Sequence, residues 1–381
     1  MNIGFLTFTF HGGSGSSIYA RSFLKYLDKN KKIDRVTVLT IGPNKPIRFS
    51  DKSKIIDVHC TLPSYLKRYE FGAKIIKLID SLREEEVELV HAEHSFEGVS
   101  ASMYKRKYGV PFVYVREVVS KFLPSFYSRY ILFNIEKYLV EHLNYDILVS
   151  WSKYMVDEFF SKWNINQSKI RVIPGGVDTE RFNPFSKVKN IREKYGIDDD
   201  DFLLLSVKVL TSSNLLGLIN AIKAFKIFVK DKQDAKYLII GGGPRKKVLE
   251  NLVHKLNLDK KVILAGAIKN EELPNYYRSS DVTVHFFTYD ASISVSMMES
   301  LACGIPIVTT NVGEVPNIID RKVGVLVKEN CEEMSKGLEY LYDNVKVRKM
   351  MSKNAWKLTK TKFDMRVIVN KYVQLYEELL S

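Results

Sequence analysis

VIPGGVDTERFNP, residues 172–184, decides how the chain is divided. It holds two glycines and two prolines with little apolar periodicity, the composition of a turn-rich connection. On its N-terminal side, short β-branched and aromatic runs at 3–9, 35–41, 87–91, 112–115, 146–150 and 170–173 alternate with segments of helical period. A second series follows at 202–208, 236–241, 261–265, 282–286, 305–309 and 324–327. Such alternation builds βαβ units around parallel sheets. The order predicts an α/β chain of two doubly wound domains with six strands each, facing across a cleft. Their ligand site is expected at the carboxyl ends of the strands. The domains are read as 1–184 and 185–361, followed by a helix over 362–381. In that tail Val367, Val369, Tyr372, Leu375, Tyr376 and Leu379 recur at helical spacing.

Length and composition agree with this division. A chain of 381 residues exceeds one small core, and 45% apolar with 27% charged residues describes a folded protein rather than a disordered one. The opening MNIGFLTFTF lacks a basic leader region and enters a β-like run at once, and 18 apolar residues never run together. A cytoplasmic location is therefore expected. Cys60, Cys303 and Cys331 are far apart and lack metal-ligand spacing, so neither a disulfide framework nor a zinc site is predicted. The net charge of +14 favours polyanionic partners or acidic membrane surfaces. The basic residues are spread over many helices without a helix-turn-helix, zinc-finger or RNP pattern, which argues against nucleic acid.

Three glycine- or serine-rich turns are candidates for holding an anion. The first strand runs into His11-Gly12-Gly13-Ser14-Gly15 before a helix bearing Ile18, Tyr19, Phe23, Leu24 and Leu27. Glycines at such a turn admit a ligand close to the backbone, and the helix start offers free amides. No Gly-Lys-Ser/Thr follows, and Ile18 occupies the third glycine position of the dinucleotide fingerprint, so neither of those phosphate loops is present. A simple tight turn is the other reading. Gly241-Gly242-Gly243-Pro244 repeats the arrangement at a later strand end, with the same two readings open. Richest is residues 290–306, DASISVSMMESLACGIP. Serines at a helix start suit a diphosphate, and Glu299 suits the vicinal hydroxyls of a ribose. The competing account of Glu299 is a surface-helix acid favoured by the dipole, worth only about 0.3 to 1 kcal/mol.

Taken together, several segments resemble the retaining nucleotide-sugar glycosyltransferases of family 4, which have the GT-B fold of two Rossmann-like domains. They are the turn at Gly12-Gly13, VHAEHS at 90–95, LVSWSKYM at 148–155, VIPGGVDTERFNP at 172–184, IIGGGP at 239–244, LAGAIKNEELPNYYRSSDVTV at 264–284 and MESLACGIPIVTTNVGEVPNII at 298–319. The resemblance implies that the second domain binds the nucleotide-sugar, that the first presents the acceptor, and that the final helix returns to the first. It places Gly12, Gly13 and Ser14 near the diphosphate and transferred sugar. Further donor contacts fall on Gly243, Ile268, Ser292, Ile293, Ser294, Val295 and Ser296. Glu299 matches the second acid of the family's Glu-x7-Glu motif, the ribose-holding one, and Lys208 stands where the family has a diphosphate-neutralising arginine. No cofactor and no metal is implied.

This chain departs from the family pattern at three positions. The first acid of the motif is Ala291, with Asp290 adjoining; the lysine expected after the basic position is replaced by Ser213 or Asn214; and Arg116-Glu117 stands where many members carry a histidine. Losing a donor to developing negative charge costs about 2.7 to 4 kcal/mol. A second cation beside Lys208 is therefore expected from Arg116 or Arg245. A solvated loop position is the alternative for each. His91 and His94 near a strand end are candidates for acceptor contact or for a structural role.

The resemblance implies transfer with retained anomeric configuration to a glycan, glycolipid or lipid-carrier acceptor. Residues 118–133, VVSKFLPSFYSRYILF, mix aromatics with cations as an anionic membrane interface does, packing against the sheet being the alternative. A peripheral membrane protein is expected on the first account. A non-catalytic binding subunit and a nucleotide-sugar epimerase share the architecture. Donor turnover separates the first from the transferase, and isomer formation without acceptor reveals the second.

Overall fold

The computed structural model describes residues 1–8, 15–41, 51–61, 67–117, 127–186, 191–230, 232–288 and 292–381, with backbone alone at 67–69 and 127–129. The chain forms two compact units. The first comprises Met1–Gly176 with Met365–Ser381, and the second comprises Val177–Asp364. Each is built on its own parallel sheet.

In the first unit the strands are β1 (Asn2–Leu6), β2 (Arg35–Ile41), β3 (Ser53–Val58), β4 (Leu89–Glu93), β5 (Phe112–Arg116), β6 (Ile147–Ser150) and β7 (Ile170–Val172). They lie in the order β3-β2-β1-β4-β5-β6-β7. This is a seven-stranded sheet rather than the predicted six. The additional strand is β3, SKIIDV, which pairs with β2 from Val36–Ser53 to Ile41–Val58. As an edge strand covered less completely than the inner ones it carries Lys54 and Asp57, which masked its apolar run.

The inner strands, by contrast, are apolar on both faces. In β1, Ile3, Phe5 and Leu6 are all fully buried, and the Gly15–Asp28 helix packs Tyr19, Ala20, Phe23, Leu24 and Leu27 inward. Tyr19, Phe23 and Leu27 keep the spacing that lines up one face of a helix. The Met365–Leu380 helix belongs to this unit. It buries Ile368, Val369, Tyr372, Val373, Leu375 and Tyr376. Its Tyr372 ring meets Phe23 edge-on at 5.1 Å.

In the second unit β8 (Phe202–Val207), β9 (Ala235–Ile240), β10 (Val262–Gly266), β11 (Val282–His285), β12 (Ile307–Thr310) and β13 (Gly324–Val327) are ordered β10-β9-β8-β11-β12-β13. Both faces of this sheet are covered. Phe202 and Leu204 enter one apolar core while Leu203 and Leu205 enter the other. That is why β8 reads as an unbroken run, as strands of a parallel sheet do. Val177 N–H donates to the Phe363 carbonyl at 2.8 Å, beside an isolated bridge between Val177 and Asp364.

Both sheets reverse their winding once, at β1/β4 and at β8/β11. A crevice opens outside the strand ends at such a point, because the loops on either side turn in opposite directions.

Candidate active site

In the second unit the loops beyond β8 and β9 are stitched together. Lys208 N–H donates to the Ile240 carbonyl at 2.9 Å, Leu210 N–H to Gly242 at 2.9 Å, and Arg245 N–H to Leu210 at 3.0 Å. The glycines are what permit this. Gly241 has φ +156°, and a Cβ there would stand 1.8 Å from the Lys208 carbonyl oxygen; at Gly243, φ +148°, the Leu210 oxygen would be 2.5 Å away. These turns thus position the Lys208 loop, whatever ligand they meet.

The Lys208 ammonium lies over the Phe287 ring, 4.2 Å from its centroid, so it stands between the two loops that flank the winding reversal. At the start of the adjoining Ser212–Phe228 helix, Arg245 donates to the Ser212 hydroxyl from Nε at 3.1 Å and from Nη2 at 2.9 Å. Asn214 is tied back to the Val209 carbonyl at 2.8 Å, and Ser213 pairs with Thr211 at 2.8 Å. Arg245 is thereby held at the first residue of the helix on which the position of the expected lysine falls.

Beyond β11, the Val295–Ala302 helix begins at Ser294, whose side chain makes no capping bond and faces the Ser296 hydroxyl at 3.3 Å. Ser292 is half-buried, and Val295 packs at the rim of the core. Ile293 is part of that core, so contact with a ligand there would run through its backbone. Ile268, just past β10, also packs on this core. Lys208, Gly243, Ile268 and residues 292–296 thus all lie beyond the carboxyl ends of strands of one sheet.

Glu299 is not the surface-helix acid of the competing account. It is buried, and its Oε2 accepts a 2.8 Å hydrogen bond from Tyr277. Its Oε1 is buried with no hydrogen-bond partner among the described residues. Burial pushes the carboxyl pKa up to about 7, against the lowering effects of the Tyr277 bond and of Arg181. A buried acceptor left unsatisfied is costly, so an oxygen in this state fits a ligand hydroxyl.

In the first unit, Gly12, Gly13 and Ser14 lie outside the described residues, as do Asp290 and Ala291 of the second. Arg116 ends β5 but does not present an open guanidinium. It is buried, ion-paired with Glu136, and 3.3 Å from the Ser95 hydroxyl. Its position at a strand end suggested a ligand cation; nothing in sequence spacing revealed the acid on the following helix. His91 is structural, its Nδ1 2.6 Å from the Tyr376 hydroxyl and its ring 4.6 Å from that of Phe5. Burial lowers its pKa to about 3, so the ring is neutral.

Acidic groups gather where the first sheet reverses. Glu93 is fully buried and accepts from the Thr7 hydroxyl at 2.7 Å; Glu117 accepts from Ser16 at 2.8 Å. Burial, then Glu117, raises the Glu93 pKa well above the carboxylate range. Glu93, His94 and Glu117 offer ligand atoms within 4.8 Å of one another, the best-placed trio for a cation among the described residues. Sequence reasoning singled out only His94 and Glu117 here, and missed Tyr277 and Phe287 in the second unit entirely.

Two family models between them span most of the chain: Glycosyltransferase Family 4 over residues 13–181 and Glycosyl transferases group 1 over residues 187–358. The chain belongs to glycosyltransferase family 4. Its paired parallel sheets are those of the GT-B fold. A sucrose-phosphate synthase from Thermosynechococcus elongatus matches it with a TM-score of 0.84 and 19% identity, over 100% of this chain and 99% of that one. Anabaena HepE, solved in complex with UDP and glucose, matches with a TM-score of 0.78 and 16% identity over 99% of each chain. Among related sequences, an alpha-monoglucosyldiacylglycerol synthase of Acholeplasma laidlawii is 27% identical over 221 residues, 57% of this chain and 54% of that protein. The chain spans little more than half the length of that relative.

Proposed function

We propose that this family 4 protein is a retaining glycosyltransferase that moves a sugar from a nucleotide-sugar to a glycan, glycolipid or lipid-carrier acceptor. The observation that carries the reading is Glu299, buried on a helix just past the winding reversal with one oxygen unmatched. A ribose diol supplies the hydroxyls that this oxygen lacks. Lys208 and the amides at 294–296 then face the diphosphate, and Arg245 adds the second positive charge.

In this mechanism the acceptor oxygen bonds to the anomeric carbon on the face from which the diphosphate departs. The bond from that carbon to the phosphate oxygen breaks, and the departing oxygen takes the acceptor's proton. The protein's part is to orient the donor and to offset charge growing on the diphosphate, which fixed donors in a desolvated site do most effectively. With that charge met by side chains, no metal is assigned to the donor site, and transfer is expected to proceed in EDTA.

A lipid-linked acceptor is favoured by one surface. Residues 118–126 of the aromatic segment lie outside the described residues, but Tyr130, Ile131, Ile135 and Tyr138 are all exposed, 57%, 46%, 44% and 60% respectively. Large apolar side chains following one another along a helix in this way suit an interface.

A melting panel with UDP-, GDP- and ADP-sugars tests the donor assignment, since a ligand at a hundred times its dissociation constant adds about 2.7 kcal/mol of stability. One sugar nucleotide should raise the melting temperature of the native protein, and Lys208→Met and Glu299→Gln should each bind it at least about tenfold more weakly. Native affinity in both variants would overturn the assignment. Release of free sugar or transfer to an added acceptor separates a working enzyme from a binding subunit.

A further inference from the structure

Lysine is a poor choice for holding charge at one point, because its four-carbon stem samples many rotamers. In this chain it occupies the diphosphate position, and the structure supplies a compensation. The Lys208 ammonium sits 4.2 Å from the centroid of Phe287, the residue that follows β11 by two positions. An ammonium at that range is attracted to the electron-rich face of the ring.

The backbone that carries the ring is anchored. Phe287 N–H donates to Thr310 Oγ1 at 2.9 Å, and the Thr310 hydroxyl donates to the Phe287 carbonyl at 2.8 Å. Thr310 is fully buried at the end of β12. The loop after β11 is thereby fixed to the neighbouring strand at the residue that meets the lysine.

His285 adds a second restraint. Its ring stacks on Phe287 at 5.9 Å with a 21° interplanar angle, and both of its nitrogens are buried without a partner among the described residues. Burial and the nearby Lys208 charge hold it well below the ordinary imidazole range. A neutral ring leaves the ammonium unopposed.

We propose that Phe287 is the positioning residue for Lys208, holding the ammonium between the loops after β8 and β11 for the donor's diphosphate. The proposal rests on the donor-site reading of Lys208, and its test distinguishes the two. The probe is UDP-glucose, or GDP-mannose where the melting panel selects it. Affinity, kcat and KM are measured for Phe287→Leu, Phe287→Tyr, Lys208→Met and the double variant Lys208→Met/Phe287→Leu.

Loss of the ring should weaken donor affinity about tenfold, while tyrosine, which keeps the aromatic face, should stay within about twofold of native. Because Phe287 acts through Lys208, Phe287→Leu should add little once Lys208 is methionine. A merely structural phenylalanine gives additive losses instead, and that outcome overturns the proposal while leaving the donor site standing. Native affinity in Lys208→Met removes both. If Phe287→Leu melts too early to assay, Phe287→Met, unbranched and apolar, takes its place in the same cycle.

Discussion

Glu299 shows how far one residue could be understood before its surroundings were seen. Its place on a helix after a serine-rich turn was legible, because serines, an apolar run and Gly-x-Pro follow a fixed spacing. Its partner was not: Tyr277 sits in NYYRSS, where nothing distinguishes a hydrogen-bonding tyrosine from a packing one. The raised carboxyl pKa, about 7, has a definite sign. Between the ordinary carboxylate value and 7 the folded state holds more protons than the unfolded one, so stability falls as pH rises through that window. Glu299→Gln should therefore flatten that part of the profile, and melting at pH 5 and pH 8 measures it. Ribose hydroxyls donating to the ionised form would oppose the burial effect. Affinity for UDP-glucose, or for whichever donor binds, should then strengthen from pH 6 to pH 8 in the native protein and stay level in Glu299→Gln.

Among the elements, most strands could be found in the sequence because they are buried on both faces and read as continuous apolar runs. β3 escaped because an edge strand mixes polar with apolar positions, and the polar ones broke its run. The Gly241-Gly242-Gly243 turn was visible as a turn, yet its task was not, since the atoms it must avoid belong to a loop after another strand. A methyl group at 241 has no room beside the Lys208 carbonyl, whereas one at Gly109, with φ +74°, meets nothing within 4 Å. Gly241→Ala should displace the Lys208 loop, destabilise the protein by more than about 2 kcal/mol and abolish measurable donor binding. Gly109→Ala should cost about 1 kcal/mol and leave donor binding intact. Denaturant melts and calorimetry on the two variants check this contrast.

At the scale of the molecule, a net charge of +14 and the exposed Tyr130, Ile131, Ile135 and Tyr138 bear on the same question. Among the described residues no helix is long and apolar enough to cross a membrane. Co-sedimentation with vesicles rich in phosphatidylglycerol should be strong at 20 mM salt, roughly, and weaken several-fold by about 200 mM as charges are screened. Ile135→Asp with Tyr138→Asp should abolish it, while vesicles of phosphatidylcholine alone should retain little protein. Binding indifferent to both changes would assign this surface another partner. The composition showed the charge, but only the fold shows which apolar side chains remain uncovered, because periodicity cannot tell a buried stripe from an exposed one.

The Met365–Leu380 helix lies in the unit formed by the first 176 residues, and its Tyr376 completes the hydrogen bond of His91. In chain order the whole intervening unit, Val177–Asp364, is synthesised before the helix that closes the earlier one. Until residues 365–380 emerge, the nascent N-terminal sheet keeps an apolar furrow around Phe5, Phe23 and His91 open to water. A premature stop near residue 364 would thus strand the segment made first, and leave the segment made second intact.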